Sequence, residues 1–106
     1  TTFYNPHDLN SLNKIINKKT KLIFVENPGS NSFEFQDLSK IISIAKKRKV
    51  LTAIDNTWAT PYFFKPMKLG FDMSIVSATK YYSGHSDVMG GSLYYNKKVF
   101  QKFKDN

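Results

Sequence analysis

Leu22-Ile23-Phe24-Val25 and Val50-Leu51-Thr52-Ala53-Ile54 are the stretches whose reading decides the fold. Each is a short apolar run rich in β-branched residues, the pattern of a buried strand. The first ends in Glu26-Asn27-Pro28-Gly29-Ser30, where the Pro-Gly pair marks a turn. Between the two runs, Phe35, Leu38, Ile41, Ile42 and Ala45 fall on one helical face, with Asn31 or Ser32 available as the N-cap. Lys46-Lys47-Arg48-Lys49 then places positive charge where the helix dipole favours it. Strand, helix and strand in succession form a βαβ unit with a right-handed crossover and parallel strands. The expectation is an α/β fold with a mainly parallel sheet flanked by helices.

Outward from this unit, Leu9, Leu12, Ile15 and Ile16 recur at helical spacing between Asp8 and Asn17, followed by Lys18-Lys19. Met73-Ser74-Ile75-Val76 and Ser92-Leu93-Tyr94-Tyr95 read as further strands, and Lys97 to Lys104, with Val99, Phe100 and Phe103, as the start of another helix. No repeat, low-complexity tract or linker interrupts residues 1–106, which read as one piece without an internal boundary. Open α/β sheets bind ligands beyond the carboxyl ends of their strands. Glu26, Asp55 and the segment from Ser77 to Lys80 all emerge there.

The chain of 106 residues is long enough for one hydrophobic core. It has no cysteine, which excludes a disulfide framework, a thiolate metal cage and a thiol nucleophile. No apolar run approaches the ~20 residues of a membrane span, and the opening Thr1-Thr2-Phe3-Tyr4-Asn5-Pro6 lacks the regions of a signal peptide. The expectation is a soluble protein, cytoplasmic by default. A start without methionine that runs directly into structured-looking sequence suggests an internal fragment. The formal net charge of +8 could attract nucleic acid. Arg48 is the sole arginine, however, and lysine-borne charge lacks the bidentate fork that phosphate and guanine contacts favour.

Three motifs follow one another: Glu26-Asn27-Pro28-Gly29-Ser30, then Asp55-Asn56-Thr57-Trp58-Ala59-Thr60-Pro61, then Ser77-Ala78-Thr79-Lys80-Tyr81 with Gly84-His85-Ser86-Asp87 and Gly90-Gly91 behind it. A carboxylate directly after a buried strand, as Asp55 is, needs a cationic partner in low dielectric. By position alone Asp55 could equally cap a loop, and one lysine among many is ordinarily a solvated surface group. His85 and Asp87 make a poor metal pair without a third ligand. Trp58, Tyr62, Phe63 and Phe64 fit packing within a larger protein better than a base-stacking platform.

In their order and spacing the three motifs resemble the pyridoxal 5′-phosphate (PLP)-dependent enzymes of Cys/Met metabolism, and the likeness runs from Leu22 to Tyr95. The resemblance implies a piece of the large domain of a fold type I PLP-dependent transferase, the aspartate aminotransferase-like fold. It implies Lys80 as the lysine that carries PLP as a Schiff base, Asp55 as the partner of the pyridine nitrogen, and Ser77 and Thr79 as hydroxyls reaching the phosphate. The family's glycine-bearing phosphate loop, ring-stacking tyrosine, neighbouring-subunit tyrosine and arginine, and substrate-carboxylate arginine have no match in this chain. Many relatives read Glu-Ser-Pro-Thr-Asn-Pro in the first motif, so Asn27 and Ser30 are departures, Ser30 standing where an asparagine usually lies near the cofactor. The Pro-Gly-Ser loop, the Phe33-Glu34-Phe35 stretch and Trp58 look most like bacterial cystathionine β-lyases. That implies cleavage of cystathionine to homocysteine, pyruvate and ammonia, no nucleic-acid or membrane partner, and a homotetrameric full-length enzyme. Alternatives are a γ-synthase, γ-lyase or homoserine-ester sulfhydrylase of the same family, and, from another class, a basic nucleic-acid-binding domain.

Overall fold

The computed structural model describes residues 1–104. Helix α1, Leu9–Ile15, begins where the Asp8 carboxylate accepts the Asn10 N–H at 3.0 Å, and it buries Leu9 and Leu12. Strand β1, Leu22–Glu26, is followed by helix α2, Leu38–Arg48, which buries Ile41, Ile42 and Ala45. The cap of α2 is Asp37, accepting the Lys40 N–H at 2.9 Å, and not Asn31 or Ser32. The reason lies in the intervening loop, which closes on itself. Phe33 N–H donates to the Gly29 carbonyl, Gly29 N–H to the Glu34 carbonyl, and Gln36 N–H to Asn27 Oδ1. Those backbone groups are thereby unavailable to a helix, and Phe35, expected on the buried face, is 70% exposed outside it.

Strand β2, Leu51–Asp55, leads through two one-turn helices, α3 at Thr60–Phe63 and α4 at Pro66–Leu69, into β3, Met73–Ser77. The chain stops α4 at Gly70, whose φ of 117° is a conformation that side-chain-bearing residues rarely adopt. Strand β4, Gly91–Tyr95, and helix α5, Lys97–Lys104, complete the described structure.

The sheet order is β1-β2-β3-β4, with β1, β2 and β3 parallel and β4 antiparallel on the edge. The mainly parallel α/β sheet expected from the sequence is therefore present, with one antiparallel edge strand of the kind such sheets often carry. On one face, Ile23, Val25 and Ile54 pack with Leu9, Leu12, Ile16, Ile41, Ile42, Ala45, Val50 and Phe71 as the main core. On the other, α5 brings Val99 onto Ala53 and Met73, with Leu51 partly buried beside them. Leu22, Phe24 and Leu93 on that second face remain exposed.

At the amino end of β3, Asp72 fastens three strands. Its carboxylate accepts the backbone N–H and the hydroxyl of buried Thr52 at 2.9 and 3.1 Å, and the Asn96 side-chain amide at 3.0 Å. Asp72→Ala would leave the Thr52 N–H without its acceptor. It should lower unfolding free energy by about 2–3 kcal/mol, read as a reduced urea midpoint with unchanged slope.

Candidate active site

The parallel register builds the site. Glu26 lies opposite Asp55, and Asp55 lies opposite Ile75, two residues before Ser77. Side chains alternate along a strand, so Glu26, Asp55 and Ser77 share one face at the carboxyl ends of three adjacent strands. They line a cavity of about 570 Å³ together with Ser30, Thr57, Trp58, Lys80 and Tyr81. A larger cavity of about 870 Å³ runs beneath the amino-terminal segment along β1, and it contains neither Asp55 nor Lys80.

Lys80 reaches the cavity because the chain turns immediately after β3. Lys80 N–H donates to the Ser77 carbonyl at 3.2 Å, and the Lys80 carbonyl accepts from Gly84 N–H at 3.1 Å. Gly84 takes φ of 67° as the segment turns back toward β4. The Lys80 ammonium is exposed and has no partner among the described residues. The cavity is thus framed by two carboxylates, Glu26 and Asp55, and one ammonium.

Asp55 is held by one oxygen. Its Oδ1 accepts the Thr57 N–H at 2.9 Å, while the Thr57 hydroxyl accepts the Ser77 N–H at 2.8 Å. Thr57 therefore ties the ends of β2 and β3 together and leaves the second Asp55 oxygen without a partner among the described residues. A half-buried carboxylate with one oxygen fixed and one free suits a pyridinium N–H, so this donor set fits PLP. Asn56, next to it, is fully buried. Its backbone N–H meets the Ile75 carbonyl at 2.7 Å, and its side-chain amide donates to the Phe64 carbonyl at 3.1 Å.

Of the residues singled out from the sequence, the fold brings Lys80, Asp55 and Ser77 to the cavity, but not Thr79. The Thr79 hydroxyl accepts the Gly90 N–H at 3.0 Å and lies 3.3 Å from the Gly90 carbonyl. It pins the returning loop to the turn that carries Lys80. His85 Nδ1 is 3.1 Å from the Ser83 carbonyl, and no group of three or more metal-binding side chains occurs among the described residues. Trp58 forms a cavity wall and meets Phe33 edge-on, ring centroids 5.6 Å apart. Sequence reasoning missed Thr57 as a support. Its signal was present in the Asp-x-Thr spacing, which lets an aspartate accept a backbone N–H two residues on.

An α/β sheet with a lysine, an aspartate and hydroxyls lining one cavity at its carboxyl edge is an arrangement that fits a cofactor-dependent enzyme. A sequence profile of the Cys/Met metabolism PLP-dependent enzymes matches residues 1–105, and the chain belongs to that family. It is 39% identical over 100 residues to an L-alanine/L-glutamate racemase of Wolbachia pipientis, covering 94% of this chain and 24% of the relative. It is 44% identical over 84 residues to a cystathionine beta-lyase of Coxiella burnetii, covering 79% of this chain and 22% of the relative. A solved Campylobacter jejuni protein, provisionally named O-acetylhomoserine (thiol)-lyase and bearing N′-pyridoxyl-lysine-5′-monophosphate, superposes with a TM-score of 0.85 at 39% identity, over 97% of this chain and 25% of that one. The chain spans about a quarter of the length of these relatives.

The loop that carries Glu26 and Ser30 is anchored from behind by Gln36. The Gln36 side chain donates to the Glu26 carbonyl at 3.1 Å and accepts the Tyr4 hydroxyl at 2.5 Å. Burial pushes the Tyr4 phenol from its usual 10 up to about 12. Because the folded state favours the neutral phenol, its contribution to stability is intact below pH 10 and is lost as pH rises from 10 through 12. Tyr4→Phe should abolish this alkaline loss, seen as a shallower fall in thermal midpoint than wild type across that window.

Proposed function

We propose that the protein serves a PLP-dependent carbon–sulfur β-lyase that cleaves cystathionine to homocysteine, pyruvate and ammonia. The observation that carries this reading is the meeting of Lys80, Asp55 and Ser77 in one cavity at the carboxyl ends of parallel strands. When bound, PLP supplies an electron sink for the electron pair left by loss of a substrate proton. Asp55, its Oδ1 fixed by Thr57, would hold the ring nitrogen protonated with its free oxygen. Ser77 would offer its hydroxyl to the cofactor phosphate, and Thr79 would support the same turn through Gly90.

Lys80 has two tasks in this reading: it holds the cofactor, and its amine, once free, takes the substrate α-proton. Its lack of a partner among the described residues suits a group that must exchange between these tasks. Departure of sulfur from Cβ as thiolate, which takes up a proton, then gives homocysteine, and water converts the remaining three-carbon fragment to pyruvate and ammonia. The β-lyase assignment draws on the Pro-Gly-Ser loop and on the Coxiella relative. The same proposal takes the full-length enzyme to be a soluble, cytoplasmic homotetramer. Removal of the α-proton is equally the first act of a racemase, the name borne by the Wolbachia relative, so product analysis must separate the two.

Incubation with PLP, borohydride reduction and peptide mapping should place the pyridoxyl label on Lys80, and Lys80→Ala should remove it. Labelling spread evenly over the surface lysines would sink the assignment. Asp55→Asn should weaken PLP binding about tenfold or more, the size of one lost charge-assisted hydrogen bond. With cystathionine, pyruvate and homocysteine are expected. Cysteine and 2-oxobutyrate would indicate γ-elimination, and exchange of L-alanine to the D form would indicate racemisation.

A further inference from the structure

Ser30 lines the same cavity as Asp55 and Lys80, and its orientation is fixed although it is exposed. Its backbone N–H donates to Glu26 Oε2 at 3.0 Å, and its hydroxyl donates to the same oxygen at 2.9 Å. A serine hydroxyl has one proton and two lone pairs. Here the proton is committed to a carboxylate, in a bond about twice as strong as one between neutral groups. The oxygen can then offer the cavity only lone pairs. An asparagine amide in this place could donate, whereas a serine held in this way accepts.

We propose that Glu26 is a positioning residue that acts through Ser30, fixing its hydroxyl as a hydrogen-bond acceptor for a protonated donor of the cofactor bound beside Lys80. This rests on the cofactor site of the preceding section. The titratable groups around the cavity are Glu26, Asp55, Lys80 and Tyr81. An acceptor stabilises the protonated form of the donor it meets, so it raises the pH at which that donor loses its proton. Glu26→Gln puts a neutral, weaker acceptor behind Ser30, lets the hydroxyl turn and donate into the cavity, and so lowers that pH. Loss of the Glu26 charge also lowers it directly, without Ser30. A double-mutant cycle separates the two contributions.

The test is a spectrophotometric pH titration of PLP bound to the purified protein, for wild type, Glu26→Gln, Ser30→Ala and the double variant. Glu26→Gln should lower the midpoint by at least about half a pH unit more with Ser30 present than in the Ser30→Ala background. Equal falls in the two backgrounds would overturn the proposal and leave Glu26 acting by its charge alone. In cofactor-free protein, the Ser30 amide proton should shift in NMR spectra as Glu26 ionises. Its failure to do so would show that the contact does not form, and the proposal falls whatever PLP does. A wild-type protein that takes up no PLP at Lys80 overturns the cofactor site itself and this inference with it.

Discussion

The pairing of Glu26 with Asp55 across β1 and β2 is the constraint on which the site depends. Side-chain direction in a strand has a period of two, so slipping this register by one residue would turn Asp55 away from the face that carries Glu26 and Ser77. The core prevents the slip. The same register that aims the carboxylates at the cavity puts Ile23, Val25 and Ile54 against α1 and α2, and a shift would expose that row to water. The geometry of the candidate site and hydrophobic burial are therefore set by one choice of hydrogen bonds.

Around this frame the polar groups are held by short, local bonds. Thr57 fixes Asp55 and reaches across to Ser77, Thr79 closes the Lys80 turn through Gly90, and Ser30 holds the Glu26 carboxylate while Gln36 holds its backbone carbonyl. Each support leaves the group it serves partly free: one Asp55 oxygen and the Lys80 amine have no partner among the described residues. Preorganised groups with unspent hydrogen-bonding capacity are what a cofactor site needs, since the ligand then meets fixed partners instead of having to order them. The sheet face beyond α5, with Leu22, Phe24 and Leu93 exposed, fits a chain that spans about a quarter of the relatives it matches.

The βαβ unit was legible because its strands are apolar throughout and its helix has a clean buried face in Ile41, Ile42 and Ala45. The start of that helix was not. Asn31 and Ser32 have the chemistry of caps, but the loop's own pairing of Gly29, Phe33 and Glu34 competes for the backbone and postpones the helix to Asp37. Helices α3 and α4 escaped notice because each is a single turn with proline in its first two positions, too short for a periodic pattern. In the candidate site, the strand-end position of Asp55 and the motif around Lys80 could be read directly. Thr79 reads equally well as a ligand-binding hydroxyl, and only its bonds to Gly90 show how the fold engages it.

By itself the sequence determined the family and the α/β class, and it singled out Lys80 and Asp55 as the candidates for the site. These depend on residue type and on spacing along the chain, which survive without coordinates. The tertiary structure decided which of the candidate groups line one cavity, that Thr57 and Ser30 join them, and that the Thr79 hydroxyl bonds Gly90. Those outcomes depend on strand register and on competition among nearby donors for a few acceptors, and both are settled only when distant segments are brought together.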